Sequence, residues 1–353
     1  MNKSIKKAMI YPFHAGLCCF VRYLDMLPYD EFVLVSPKGY GFENKDVGTI
    51  DRGGELGLKV TSDFEESIKK VSEVIFTKPT DDISDKIQLS IRQKKNITCL
   101  FSLEDETEII KQCNNNSLEY KNYSKNRVEI DISEKRLFQF DTPILLVCGM
   151  SEKTQKFDIQ LTLKRELEKL GYSISQVGSR SYSSIFSMHN FPDYLLKQND
   201  EMNKITYFNN YIKFIETTEK PDVIIIGIPG GIIPYDLNHN NRFGILAYMV
   251  CQTISIDYAI LSLANDYYDS DFYDFIQQYS KYKYGFKINM LHLSNVYHDI
   301  YGDERIDGER AILLGSDNVS KRKKELDFET YNIFQENDIT LIIENVINEL
   351  GGD

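Results

Sequence analysis

Short apolar runs alternate with amphipathic stretches along most of this chain, and that alternation constrains the fold more than any other feature. Residues 144–148 and 223–226 are apolar throughout, which is typical of parallel strands buried on both faces. Helical stretches between such runs predict crossover connections and therefore parallel sheets. A length of 353 residues suits about two domains. We therefore expect an α/β protein with two parallel sheets.

The boundary between the two domains is expected near residue 135. Residues 103–140 lose apolar density, so we interpret them as a loop or linker. Residues 1–135 are predicted to form a small N-terminal Rossmann-like domain. Residues 136–353 are predicted to form a larger, doubly wound parallel sheet.

Two capping signals predict the start of individual helices. Ser62, with Glu65 three residues later, has the spacing of a capping box and predicts a helix over 62–72. Asp338 is expected to cap a final helix that ends at Leu350.

Charge and composition exclude some classes of partner. The 41 Lys+Arg and 53 Asp+Glu residues give a net charge of −12, which on average repels nucleic acid. No apolar run is long enough for a membrane span, and the six cysteines form no C-x-x-C pair. We therefore expect reduced thiols, no metal site and a cytoplasmic protein. The 23 Tyr and 20 Phe, without Trp, suit a surface that binds an extended peptide.

A strand, a glycine, a short loop, a lysine and a helix follow one another after residue 143, which is the order of a phosphate-binding loop. Gly149 ends the strand, and Lys156 stands seven positions later. Glycine lets the backbone curl around a phosphate, and the lysine and the helix N-terminus attract the anion. The spacing resembles the loop of dethiobiotin-synthetase-like proteins, and this resemblance implies a P-loop-like fold for residues 136–353.

Three positions depart from such a loop. Gln155 stands where a second glycine belongs, and its Cβ would obstruct a phosphate unless the backbone bends differently. Phe157 replaces the Ser or Thr that holds Mg²⁺, and Gly227 replaces the carboxylate at the end of the second apolar strand. Metal-dependent hydrolysis is therefore not expected. An ordinary strand-to-helix loop without a ligand is the alternative interpretation.

Arg180 follows a predicted strand and could receive an anion at the carboxyl edge of the same sheet. Nearby hydroxyl groups are those of Ser179, Ser181, Ser183 and Ser184. His189 and Asp193 lie four positions apart and could pair on one helix. That pair could be an acid–base couple, although we favour an inert hydrogen bond.

Three further clusters contain side chains that bind metals or act as nucleophiles. The acidic residues at 266, 269, 271 and 274 lack the glycine and glutamate of a calcium loop, so we expect them at a helix N-terminus. His292 and His298, with Asp299, could hold a metal, but a single histidine pair six positions apart does not by itself indicate a metal site. Cys18 lies near His14, but a buried thiol is the interpretation we favour.

Four segments in order are similar to a known family. They are residues 148–163, 176–180, 189–192 and 221–231, and they resemble the clostridial peptide-maturation-system proteins. Such proteins are encoded beside a small Cys-rich, bacteriocin-like precursor peptide and a radical SAM maturase. The resemblance implies a pathway, the modification of ribosomally made peptides, and these two partners.

The leading hypothesis is an accessory protein of peptide maturation that engages the precursor or the maturase and binds ATP or GTP. The residues expected to bind the nucleotide are Gly149, Ser151, Thr154, Lys156, Arg180, Gly230 and Gly231. One alternative is an active ATP- or GTP-dependent enzyme that activates a carboxyl or thiol of the peptide. Another is a structural subunit without a ligand site. The sequence also allows a homodimer, and it identifies no catalytic residue.

Overall fold

Two parallel sheets organise the chain, as its alternating pattern predicts. The computed structural model describes residues 5–125, 136–234, 240–299 and 310–351, without the side chains of residues 299 and 310. The first unit comprises Met1–Lys125 and Ser181–Asn190. The second comprises Asn126–Arg180 and Phe191–Asp353.

The first unit has the strand order of a Rossmann fold. Its elements are β1 (Lys7–Tyr11), α1 (Cys18–Arg22), β2 (Glu31–Val35), α2 (Val47–Ile50), β3 (Val60–Thr61), α3 (Phe64–Ile68), β4 (Glu73–Phe76), α4 (Ile83–Arg92), β5 (Asn96–Cys99), α5 (Glu106–Asn115) and β6 (Tyr120–Asn122). The strands are parallel in the order β3-β2-β1-β4-β5-β6. Apolar side chains of α3, α4 and α5 cover one face of this sheet, so the expected Rossmann-like parallel sheet is confirmed.

Two details of the first unit differ from prediction. Helix α3 is capped by Asp63, whose carboxylate accepts a hydrogen bond from Glu66 N at 2.9 Å, and not by Ser62. The predicted linker contains α5 and β6, because Ile109 and Cys113 bury one face of α5 within an otherwise polar sequence. Residues 126–135 of that linker lie outside the described part of the chain.

The second unit is built around the two long apolar runs, which become β7 and β10. It contains β7 (Ile144–Gly149), α6 (Lys156–Lys169), β8 (Ile174–Gly178), α7 (Asp193–Leu196), α8 (Glu201–Glu219), β10 (Val223–Gly227), α9 (Ile245–Cys251), β11 (Tyr258–Leu263), α10 (Ser270–Tyr279), β12 (Met290–Leu293), β13 (Val296–Asp299), β14 (Arg310–Leu313), α11 (Ser316–Glu325) and α12 (Glu336–Leu350). The short strand β9 (His189–Asn190) belongs to the segment Ser181–Asn190 of the first unit.

Five parallel strands of this unit pair in the order β12-β11-β7-β10-β8. Helices α6 and α12 pack on the face that contains Leu145 and Val147. Helices α8, α9 and α10 pack on the opposite face, with Leu146. The sheet is therefore doubly wound, as predicted. The chain leaves β7 toward one edge of the sheet and crosses to the other edge after β10, so the topological switch point lies at the carboxyl end of β7.

The final helix starts earlier than predicted. Asp338 lies inside the first turn of α12, and its Oδ2 accepts a hydrogen bond from Asn332 N at 2.7 Å. It also forms an ion pair with Lys323. The Asp338 carboxylate therefore does not cap α12. It links the loop residue Asn332 and Lys323 of α11 to the first turn of this helix.

The cysteines agree with the expectation of reduced, buried thiols. None of the six, all of which lie in the described part of the chain, forms a disulfide, and all but Cys251 are buried. Burial raises the pKa of Cys99 and of Cys148 to about 12, so both are protonated and unreactive at neutral pH. No helix in the described ranges combines the length and the apolar character that crossing a membrane requires.

Candidate functional site

The loop that joins β7 to α6 lies at the carboxyl edge of the second sheet. Gly149 is the last residue of β7 and pairs with Ser262 of β11. A Cβ at Gly149 would lie 2.4 Å from Thr154 Oγ1 and 2.9 Å from Lys156 Nζ. Only glycine therefore leaves room for the lysine to fold back over the end of the strand.

Lys156 is the first residue of α6, and its ammonium group turns into the loop. The residue is 7% exposed, and its Nζ donates a hydrogen bond to the carbonyl of Ser151 at 2.7 Å. Thr154 Oγ1 donates to the same carbonyl at 3.2 Å. Because a buried ammonium group needs polar partners, the loop wraps around this charge.

Gln155 adopts the backbone conformation that glycine provides in other loops. Its φ is 62° and its ψ is 22°, in the left-handed region that costs a residue with a Cβ about 1–2 kcal/mol. Its side-chain Oε1 accepts a hydrogen bond from Asn295 N at 2.7 Å, and such a bond contributes about 1 kcal/mol. The backbone thus bends as a glycine would, and the glutamine side chain is held by the segment after β12.

A buried histidine supports the loop from β13. His298 Nε2 lies 2.9 Å from Ser151 Oγ. Burial, together with the nearby Lys153 and Lys156 charges, lowers the pKa of His298 to about 4. The imidazole is therefore neutral at neutral pH and acts as a hydrogen-bond partner of the loop.

A second buried histidine supports the loop through a serine of β11. His292 Nδ1 lies 2.9 Å from Ser262 Oγ, and that hydroxyl donates to the carbonyl of Thr154. Burial lowers the pKa of His292 to about 3. The two predicted metal-binding histidines therefore contact two different hydroxyl groups. The third member of that prediction, the side chain of Asp299, lies outside the described part of the chain.

A cleft of about 220 Å³ opens beside the loop, lined by residues 152–157, Ser179, Arg180, Pro229 and Gly230. Its basic residues are Lys153, Lys156 and Arg180, and its acidic residue is Glu152. The lining thus carries a positive balance in a chain whose net charge is −12. A helix N-terminus beside three basic groups is a favourable place for a phosphate.

The glycines after β10 have different roles. Gly230 lines the cleft with a φ of +82° and open space at its Cβ position. A Cβ at Gly231 would lie 2.6 Å from both Met150 O and Ser151 Cα. Gly231 therefore allows two backbone segments to pack together, whereas Gly230 borders the space where a ligand would lie.

The side chains around this cleft do not fit the magnesium site of a P-loop enzyme. Phe157 is buried and lines the cleft at the position of the metal-binding hydroxyl, and it offers no ligand atom. Within the described ranges, no three His, Cys, Asp or Glu side chains are arranged to hold a metal ion. Asp269, from the acidic cluster, caps α10 by accepting a hydrogen bond from Phe272 N at 2.9 Å, as the helix interpretation predicts.

Some predicted site residues lie elsewhere. Ser181, Ser183 and Ser184 belong to the first unit, where Ser184 Oγ donates to the carbonyl of Tyr123 at 2.9 Å. His189 lies in β9 and Asp193 begins α7, so the predicted pairing on one helix is wrong.

Sequence reasoning missed four residues at or near the cleft. Lys153 and Glu152 lie within the predicted loop and were detectable there by position alone. Gln160 and Asn295 gave no such signal, because each acts through contacts to residues distant in sequence.

The comparisons with known proteins support the fold. No protein-family model matches the sequence, and no curated protein matches it. The structure is similar to that of a DUF1611 family protein from Anabaena variabilis, with a TM-score of 0.65, 9% identity, and coverage of 97% of this chain and 99% of the other. At that identity the likeness shows the two-unit α/β fold alone.

Two other similarities are partial. A dehydrogenase from Clostridium difficile has a TM-score of 0.26 at 12% identity, covering 48% of this chain and 59% of its own. A putative oxidoreductase from Klebsiella pneumoniae has a TM-score of 0.27 at 12% identity, covering 48% and 52%. Scores this low carry no argument about fold or activity.

Proposed function

We propose that the second unit binds the phosphate groups of ATP or GTP in the cleft beside the loop 149–156, without metal-dependent hydrolysis. One observation carries this proposal. Three basic side chains line a cleft at the switch point of the sheet in a chain of net charge −12. Open α/β sheets bind ligands at such points.

Each part of the loop has a role in this proposal. Lys156 supplies a charge at the base of the cleft, and Lys153 and Arg180 supply charges at its rim. The first turn of α6 presents backbone N–H groups and the positive end of the helix dipole. A cleft of about 220 Å³ is smaller than a typical pocket for a whole small molecule, so we expect it to hold the phosphates while the base and sugar extend outside.

The residue types favour binding over hydrolysis. Phe157 and Gly227 stand where Mg²⁺ ligands would be needed. Glu152 is the acidic side chain in the cleft lining, and a single carboxylate is a weak magnesium site. Three basic side chains can instead neutralise phosphate charge without a metal.

The test is calorimetric titration of the full chain with ATP and with GTP in the presence of EDTA. We expect binding that Lys156→Met weakens by at least about tenfold, equivalent to about 1.4 kcal/mol. The matched control is Lys324→Met, which removes an exposed lysine of α11 and should leave the affinity unchanged. No heat of binding with either nucleotide, or equal affinities for the two variants, would contradict the proposal.

We also propose that the chain serves as an accessory protein in the maturation of a ribosomally made Cys-rich peptide. Support comes from the resemblance and from where its segments lie. Residues 148–163, 176–180 and 221–231 contribute to the cleft or pack beneath it, so three of the four similar segments share one site. Exposed aromatic side chains offer contact area for a peptide. The exposed aromatic side chains in this region are Tyr248 of α9, Phe275 of α10 and Tyr282 in the helical segment that follows α10.

The peptide role is tested separately from nucleotide binding. The purified chain is mixed with a Cys-rich precursor peptide and, in another sample, with a radical SAM maturase, the two partners that the resemblance implies. A stable complex with either, abolished when Tyr282 and Phe275 are changed to Ser, is expected. Absence of any complex, with or without ATP, would exclude the accessory role and leave the nucleotide proposal intact.

A further inference from the structure

Gln160 joins the helix after the loop to the opposite wall of the cleft. It lies one turn beyond Lys156 on α6 and has no exposed surface. Its Nε2 donates a hydrogen bond to Val177 O at 3.0 Å, and its Oε1 accepts one from Ser179 N at 3.0 Å. One neutral amide therefore satisfies a donor and an acceptor where β8 ends, directly before Arg180.

A glycine of β10 leaves space for this amide. A Cβ at Gly227 would lie 2.1 Å from Gln160 Oε1 and 2.6 Å from its Nε2. Gln160 therefore fills the space that a side chain at position 227 would need. Its own backbone carbonyl accepts a hydrogen bond from Gln176 Nε2 at 3.0 Å, which adds a further link between α6 and β8.

We propose that Gln160 is a positioning residue that holds Arg180 over the same cleft as Lys156. The inference rests on the proposed binding of nucleotide phosphates and assigns a further residue to that site. Lys156 is fixed by α6, whereas Arg180 is an exposed residue that follows β8. The amide fixes the backbone at Ser179, and a fixed backbone reduces the conformational entropy that Arg180 loses when it binds an anion.

Glutamine suits this position better than glutamate or an apolar residue. A carboxylate could accept from Ser179 N but would repel the carbonyl of Val177, and it would bring negative charge near an anion site. An apolar side chain of similar length would leave both backbone groups without their present partner.

The test is a double-mutant cycle on the full chain, with ATP in EDTA as the probe. Gln160→Met should weaken ATP binding by about tenfold in the natural chain, equivalent to about 1.4 kcal/mol. The same change should cost less than about twofold when Arg180 is already Ala, because interacting residues are not additive. Equal losses in both backgrounds, or no loss in the natural chain, would overturn the inference.

Matched variants separate positioning from general destabilisation. Gln176→Met removes another buried amide at the same helix–strand contact but leaves the Ser179 bond, so it should lower the melting temperature without changing the ATP dissociation constant. If Gln160→Met does not fold, Gln160→Asn is used instead, because it keeps a neutral amide but is one methylene too short to hold both Val177 O and Ser179 N.

Hydrogen exchange tests the positioning without any ligand. The Ser179 amide should exchange faster in Gln160→Met than in Gln176→Met, and unchanged protection would refute the inference. If the natural chain binds no ATP, the proposed function fails, whereas ATP binding that is insensitive to Gln160 refutes this inference alone.

Discussion

Gln155 adopts the left-handed backbone conformation that the loop 149–156 needs, although it stands where a glycine is expected. Its left-handed backbone is a cost, and the hydrogen bond from Asn295 N offsets it. The glycine position was recognisable from the sequence, because the spacing from Gly149 to Lys156 defines it. The hydrogen bond from Asn295 N was not recognisable from the sequence, because Asn295 lies 140 positions away. A glutamine at position 155 does not by itself indicate which backbone group its side chain will contact.

Substitutions at Gln155 should separate the backbone effect from the side-chain effect. Gln155→Gly removes the strain and the hydrogen bond together, so the free energy of unfolding should change by less than about 1 kcal/mol. Gln155→Val keeps the strain, adds a β-branch and loses the bond, so a loss of about 2 kcal/mol or more is expected. Urea unfolding measures both. Equal stabilities for the two variants would show that the backbone at this position is not strained.

Gly149 should tolerate no side chain. Gly149→Ala would bring a methyl group within 2.4 Å of Thr154 Oγ1 and 2.9 Å of Lys156 Nζ, so Lys156 must move. We expect a loss of about 1–3 kcal/mol in unfolding free energy and weaker ATP binding.

The control for that variant is Gly171→Ala. Gly171 has a φ of +93° and open space at its Cβ position, so alanine there introduces backbone strain alone. It should lower stability without affecting ATP binding. Loss of affinity in the control would mean that any destabilisation weakens the site.

At the scale of secondary structure, apolar periodicity predicted strands well and polar helices poorly. The fully apolar runs became β7 and β10 because parallel strands covered on both faces need apolar residues at every position. Helix α5 was missed because its buried residues, Ile109 and Cys113, are too few to stand out in a polar segment. The start of α3 was misplaced by one residue because Ser62 and Asp63 are both good caps.

The loop depends on elements that no local pattern connects to it. Strand β13 contributes His298, which contacts Ser151 at a separation of 147 residues. Strand β11 contributes Ser262, which contacts Thr154 at a separation of 108 residues. The sequence predicts a loop between β7 and α6, but the side chains that support this loop come from strands that only the three-dimensional structure brings beside it.

The two buried histidines make stability depend on pH. Their pKa values fall from an ordinary 6.5 to about 3 for His292 and about 4 for His298, so the unfolded chain takes up protons that the folded chain does not. Unfolding free energy should therefore decrease as the pH falls from about 6.5 toward 4, by up to about 1.4 kcal/mol per pH unit for each histidine.

Replacing one histidine should remove its contribution to the pH dependence of the unfolding free energy. His298→Gln keeps a polar partner for Ser151 but cannot take up a proton near neutrality. Urea unfolding between pH 7 and pH 5 should show a shallower decline for this variant than for the natural chain. Identical declines would mean that His298 is not a source of the pH dependence.

At the scale of the whole molecule, the two units should respond differently to nucleotide. The cleft residues all belong to the second unit. A ligand at about 100 times its dissociation constant stabilises the form that binds it by about 2.7 kcal/mol. Hydrogen exchange in saturating ATP should therefore slow in α6 and in the end of β8, while β1 to β6 of the first unit keep their rates. Equal slowing in both units would place binding elsewhere.

The negative net charge of the chain restricts where ATP could bind. A protein of charge −12 should repel ATP unless a local group of cations outweighs that field. Lys153, Lys156 and Arg180 supply that group, and Phe157 removes the usual place for magnesium. The most direct measurement is the dissociation constant of ATP, determined once in EDTA and once with Mg²⁺. We predict binding in EDTA that is at least as tight as binding with Mg²⁺, with no ATP turnover in either condition. Binding that requires Mg²⁺, accompanied by hydrolysis that Lys156→Met abolishes, would contradict this account.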